Sequence, residues 1–229
     1  LIKHALFPVL VGQFNYEKAN EFKETLFTHG LKHFNESGFS NERTGHVCIH
    51  HEPEFSELYG FLTTCVKEYL QSLNVDPELF EINVVKSWFN IIRHQQTPLH
   101  AHGDAHISLV YYANTPESCQ QLLRFHNYHF RMEPFPGSIR YNNTSDNWNE
   151  FNSYTWAFMP NEGDVFVFPS QMMHETVGNV DHDDSGVKTQ EDFKSHRCSI
   201  AADIVLTYKD SQAKPLGIQP VQNWKTFNG

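Results

Sequence analysis

The sequence is short of cysteine, of positive charge and of long apolar runs, and each shortage removes a class of protein. Its four cysteines, Cys48, Cys65, Cys119 and Cys198, are scattered and form no C-x-x-C pair. That excludes a dense disulfide framework and is the pattern of reduced thiols in a cytoplasmic compartment. Lys and Arg number 17 against 27 Asp and Glu, a formal net charge of −10. Such a surface argues against a general affinity for nucleic acid or anionic membrane, which both rely on basic residues. No stretch reaches the roughly 18 to 20 apolar residues of a membrane span, so the expectation is a soluble protein. The opening segment, Leu1 to Gly12, is apolar but broken by Lys3, His4 and Pro8. It lacks a basic region followed by a small-residue cleavage site, and is read as a strand leading into the fold.

What is present suits one core. At 229 residues and 39% hydrophobic content, the chain can bury a single core and does not require two. The expected organisation is one domain over 1–229, with helical support in 1–79, a β core in 80–207 and a C-terminal extension in 208–229. Residues 16–35 place Ala19, Phe22, Leu26, Leu31 and Phe34 at helical spacing, with a predicted interruption at Gly30. Residues 54–73 repeat the pattern with Phe55, Leu58, Phe61, Leu62, Val66, Tyr69 and Leu70. From about residue 80 the texture changes to short apolar or alternating runs bounded by Pro, Gly, Asn and Asp. Strands are predicted at 81–92, 106–113, 121–125, 155–158, 164–168, 174–177 and 198–207. Long loops are predicted at 127–154 and 179–196, lengths typical of functional lids. The fold class expected is mainly β with flanking helices (α+β), arranged as a double-stranded β-helix, the jelly roll of cupin-like proteins.

The chemistry concentrates in His100-Ala101-His102-Gly103-Asp104-Ala105-His106. If this segment is extended, side chains two apart share a face and converge. Two histidines and one carboxylate hold an octahedral divalent metal on one face and leave adjacent positions open for a chelating co-substrate and O2. His102 and Asp104 supply two such ligands, and His174, after the strand Asp164–Phe168, supplies the third. His100 is kept as an alternate ligand. An anionic co-substrate needs an anchor, for which the planar fork of Arg is best suited. Arg197 opens the last strand and Ser199 shares its face; Tyr112 and Asn90 are further contacts to the same group. His106 is read as a hydrogen-bonding partner or a surface residue, and His50-His51 and His126 as structural or surface residues.

These motifs keep a fixed order: H-x-H or H-x-D, then Ser108-Leu109-Val110-Tyr111-Tyr112, Glu162-Gly163-Asp164 running to Phe168-Pro169-Ser170, His174, and Arg197-Cys198-Ser199. The order resembles that of the 2-oxoglutarate and Fe(II)-dependent oxygenases, most nearly the branch found in marine bacteria and their phages. The resemblance implies a double-stranded β-helix, Fe(II) as cofactor, 2-oxoglutarate and O2 as co-substrates, and hydroxylation of a small molecule or peptide side chain. It also implies a catalytic set of His102, Asp104 and His174, with Arg197, Ser199, Tyr112 and Asn90 around the co-substrate. In that branch the pattern is H-x-H, which aligns with His100 and His102 and leaves Asp104 at a variable position. The alternative reading is a cupin-like metal protein that does not use 2-oxoglutarate, distinguished by a three-His set and no anion anchor.

Overall fold

The computed structural model describes residues 8–36, 48–92, 96–126, 153, 155–178, 194–210 and 217–226. Two helices, α1 (Ala19–Glu36) and α2 (Ser56–Ser72), precede most of the sheet. On α2 the buried residues are Leu58, Leu62, Cys65, Val66, Tyr69 and Leu70, one stripe of a 3.6-residue period. On α1, Phe22, Leu26 and Phe27 do the same. α1 runs through Gly30 without the predicted interruption; a helical glycine costs only about 1 kcal/mol, less than the burial of those side chains gains.

The strands are β1 (Gly12–Asn15), β2 (Phe80–Ile92), β3 (Ile107–Asn114), β4 (Gln121–His126), β5 (Thr155–Phe158), β6 (Asp164–Pro169), β7 (Met173–Gly178) and β8 (Arg197–Tyr208). They form two antiparallel sheets, β1-β6-β3-β8-β2 and β5-β4-β7. Residues 1–7 of the expected opening strand lie outside the described residues. Residues 8–11 are irregular and pairing starts at Gly12, opposite Val167, because Pro8 has no N–H to give a ladder and β6 is met only from Gly12 onward.

The larger sheet has two chemically different faces. One carries Phe89, Ile91, Ile107, Leu109, Tyr111, Ile200, Ala202 and Ile204 onto the helices as the main core. The other turns toward the smaller sheet, where Tyr112, Leu123, Phe125, Phe166 and Phe168 form a second cluster. Register sets this second face in rows across β2, β8 and β3: Lys86–Asp203–Ser108, Trp88–Ala201–Val110 and Asn90–Ser199–Tyr112. A β-bulge between Val84 and Lys86 makes the rows possible. Before it, Ile82 and Val84 pack toward the helices; after it, Phe89 and Ile91 do. The extra residue, exposed Val85, reverses the alternation and turns Lys86, Trp88 and Asn90 to the inner face.

Candidate active site

The segment before β3 is not extended throughout. His100 pairs with His174 in an antiparallel bridge, each backbone N–H donating to the other's carbonyl at 3.0 and 2.9 Å. The His102 N–H donates to the Ser170 carbonyl at 2.8 Å, and the Ser170 hydroxyl donates to the Ala105 carbonyl. Ser170 thus clips the segment to the end of β6. Gly103 and Asp104 then form a turn, the chemistry those residues favour. The turn sends Asp104 outward: its side chain is 65% exposed and paired with Lys86 at 2.8 Å. The structure therefore brings His100, His102 and His174 together and leaves Asp104 outside the group.

One ring nitrogen of each of these histidines lies within 4.8 Å of the others. The ring centroids are 4.3 to 5.4 Å apart. Every Nδ1 faces an oxygen that can only accept: the Pro98 carbonyl at 2.7 Å, an Asp203 carboxylate oxygen at 2.7 Å and the Met172 carbonyl at 2.9 Å. Each neutral imidazole must therefore carry its proton on Nδ1, which puts the ligating lone pair on Nε2. Phe125 and Phe168 pack on His174. Burial lowers the His174 pKa to about 4, with the neighbouring His100 and His102 acting in the same direction, so the ring is neutral near pH 7. These three residues could hold a divalent metal.

Asp203 was not anticipated. It is fully buried and accepts from His102, from the Ser108 hydroxyl at 2.6 Å and from the Lys86 ammonium at 3.0 Å. Burial alone would raise its pKa, yet the hydrogen bonds from His102 and Ser108 hold the carboxyl below its ordinary value. Its signal was an Asp within the apolar run Ile200–Leu206, two steps of two residues beyond Ser199 on the same strand face; a buried carboxylate needs partners.

A cavity of about 200 Å³ runs from the histidines to Arg197, with Trp88, Asn90, Tyr112, Ser199 and Asp203 on its walls. Arg197 is 3% exposed and lies 5.6 Å from the centre of the Tyr112 ring. Its Nε and Nη1 have no hydrogen-bond partner among the described residues. Unsatisfied donors on a buried cation are costly, and a ligand carboxylate reaching this end of the cavity would meet them. Ser199 is buried one strand step from Arg197, and Asn90 sits opposite it, with its side-chain oxygen accepting from the Trp88 indole. The residues predicted for the anionic group thus share one cavity with the histidines.

His106 lies elsewhere, exposed, with Nδ1 accepting from the Leu206 N–H. His50 joins Ser87, and His126 joins Glu175, both apart from the cavity's histidine cluster. The predicted loops 127–154 and 179–196 fall almost wholly outside the described residues.

Residues 86–185 match the family described as "Putative 2OG-Fe(II) oxygenase". That match, over less than half of the chain, supports a likeness to the 2-oxoglutarate/Fe(II) oxygenase superfamily. Members of this superfamily are oxidoreductases that use Fe(II) and 2-oxoglutarate. The matched span carries the histidine cluster and β2 from Lys86 onward but ends before Arg197. No curated protein sequence matches the chain. Its fold is similar to that of AviO1 from Streptomyces viridochromogenes Tue57, with a TM-score of 0.52, 11% identity and 91% of each chain covered. A prolyl-4-hydroxylase from Pseudomonas putida gives a TM-score of 0.52 at 12% identity, covering 87% of this chain and 94% of that one. At such identities the likeness is one of fold, the double-stranded β-helix expected from the sequence. No described helix is long and apolar enough to cross a membrane.

Proposed function

We propose that the protein binds Fe(II) through His100, His102 and His174, anchors 2-oxoglutarate at Arg197, and hydroxylates a small molecule or a single peptide side chain. The observation that carries this reading is the pairing of two preformed ends in one cavity. At one end three Nε2 lone pairs converge; at the other, a buried guanidinium has donors to spare. A cupin-like metal protein accounts for the first end and gives no reason for the second.

When bound, Fe(II) and 2-oxoglutarate supply the oxidising chemistry, with decarboxylation to succinate and CO2 driving the use of O2. The protein's own residues bind, orient and exclude water. Arg197 holds the far carboxylate of the co-substrate, with Ser199 and Tyr112 beside it. Asn90, with its oxygen occupied by Trp88, presents its amide nitrogen for a second contact. The carbonyls of Pro98 and Met172 and the carboxylate of Asp203 keep the imidazoles from rotating. Phe168, Leu123 and Val110 line the cavity with apolar surface, which strengthens the electrostatic contacts made inside it. The cavity falls below the roughly 300 Å³ lower bound of drug-sized ligand pockets, which suits a compact substrate group.

The test is an anaerobic titration of Fe(II)-loaded protein with 2-oxoglutarate, watching for the visible charge-transfer band of the chelate. A saturable band supports the reading. Its absence with iron confirmed bound removes the 2-oxoglutarate assignment and returns the site to a cupin-like metal protein.

A further inference from the structure

Resting on the three-histidine reading, we infer that Asp203 supplies through His102 the negative charge that a two-His, one-carboxylate set places directly on the metal. Lys86 sets how much of that charge the site receives.

The three imidazoles are supported unequally. His100 and His174 lean on neutral backbone carbonyls, whereas His102 donates to an ionised carboxylate with no exposure to solvent. A carboxylate on Nδ1 fixes the ring and raises the donor strength of Nε2. The carboxylate is itself held from three sides. Ser108 binds one oxygen, and His102 and Lys86 share the other. Trp88 stacks on His102, its ring centre 5.8 Å away and within 14° of parallel, with the Lys86 ammonium 5.9 Å from the centre of the indole. Lys86 continues outward to Asp104 at 3.1 and 2.8 Å. A relay therefore runs from solvent inward: Asp104, Lys86, Asp203, His102.

A purely structural account leaves this arrangement unexplained. Ionic groups in a core add little stability over apolar residues of the same volume, and the Lys86–Asp203–Ser108 row could be filled as apolarly as the adjacent row. A charge relay ending on Nδ1 of a metal ligand gives the row a task. The cation sits beside the same oxygen that supports His102, so it draws charge away from the imidazole. Removing it leaves more for the metal.

The experiment measures Co(II) affinity by chelator competition, and the visible ligand-field bands of the Co(II) form, for the full-length wild-type chain, D203N and K86M. The D203N side chain keeps an oxygen for His102 Nδ1 and loses the charge, so affinity should fall about 10- to 100-fold. K86M should tighten binding on the order of fivefold and shift the bands opposite to D203N. If wild type binds no Co(II), the three-histidine site itself is overturned, and this inference with it. If wild type binds and D203N binds equally, only the role of Asp203 is overturned. Should D203N fail to fold, K86M decides, since affinity equal to or weaker than wild type contradicts the inference.

Discussion

Replacing Arg197 by Met should move stability and ligand affinity in opposite directions. In the metal-free protein the guanidinium is 3% exposed and two of its nitrogens lack partners among the described residues. Each unsatisfied buried donor costs about 1–3 kcal/mol. Methionine has similar length and no donors, so the substitution relieves that cost and forfeits the contact with Tyr112, worth about 1–2 kcal/mol. With two such donors the balance is a gain of about 0–5 kcal/mol, and a Tm increase of about 2–4 °C per kcal/mol for a chain of this size. Affinity for 2-oxoglutarate goes the other way: losing one partner of a buried charge pair costs about 2–5 kcal/mol, or roughly 30-fold to several-thousand-fold in Kd. Differential scanning calorimetry of the metal-free protein and an anaerobic 2-oxoglutarate titration of the Fe(II) form measure the two effects. An R197M protein that is clearly less stable, or that keeps its 2-oxoglutarate affinity, would show the guanidinium to be a structural group and refute the anchor.

Two further predictions concern the histidines. H100A should weaken metal binding by at least about 100-fold, while D104N, altering an exposed side chain, should change it only a few-fold; calorimetric titration with Co(II) distinguishes the two, and the reverse order would restore the His102–Asp104 pair. Metal-free stability should also fall with acidity. His174 has its pKa lowered from 6.5 to about 4 in the folded chain, so between these values the unfolded chain binds the extra proton first. Stability present above pH 6.5 is lost as pH falls toward 4, by about 3 kcal/mol. Urea melts across that window check it, and H174A should flatten the slope.

Much of this was legible because alternation and turn residues report local geometry directly. Each of the seven predicted strands is present, with ends displaced by one residue at most. Gly163 takes φ 88 with the Asp164 carboxylate accepting from the Asn161 N–H, so the Gly-Asp turn before β6 was readable. Reading Asp104 as a metal ligand assumed that residues 100–106 stay extended. A Gly-Asp pair also makes the turn at 103, there without a positive φ, and it sends the carboxylate outward. Asp203 needed information of another kind. Its partners stand 95 and 101 residues away in the chain, and only the pairing of β8 with β3, together with the fold of the 100–106 segment, places them. His100 against His174 depends likewise on a bridge between distant segments.

The bulge at Val85 gives β2 something like a reading frame of two. Insert or delete one residue between Lys86 and Asn90 and the downstream side chains exchange sides: the indole and amide move into the helix interface, and Phe89 and Ile91 point at the chemistry. A two-residue change would keep the phase. Related chains should therefore differ in length here by even numbers, unless they have also lost the bulge. An odd difference with the bulge retained marks a protein whose cavity has been emptied of this wall. Length, more than residue identity, is the quantity to compare first across this strand.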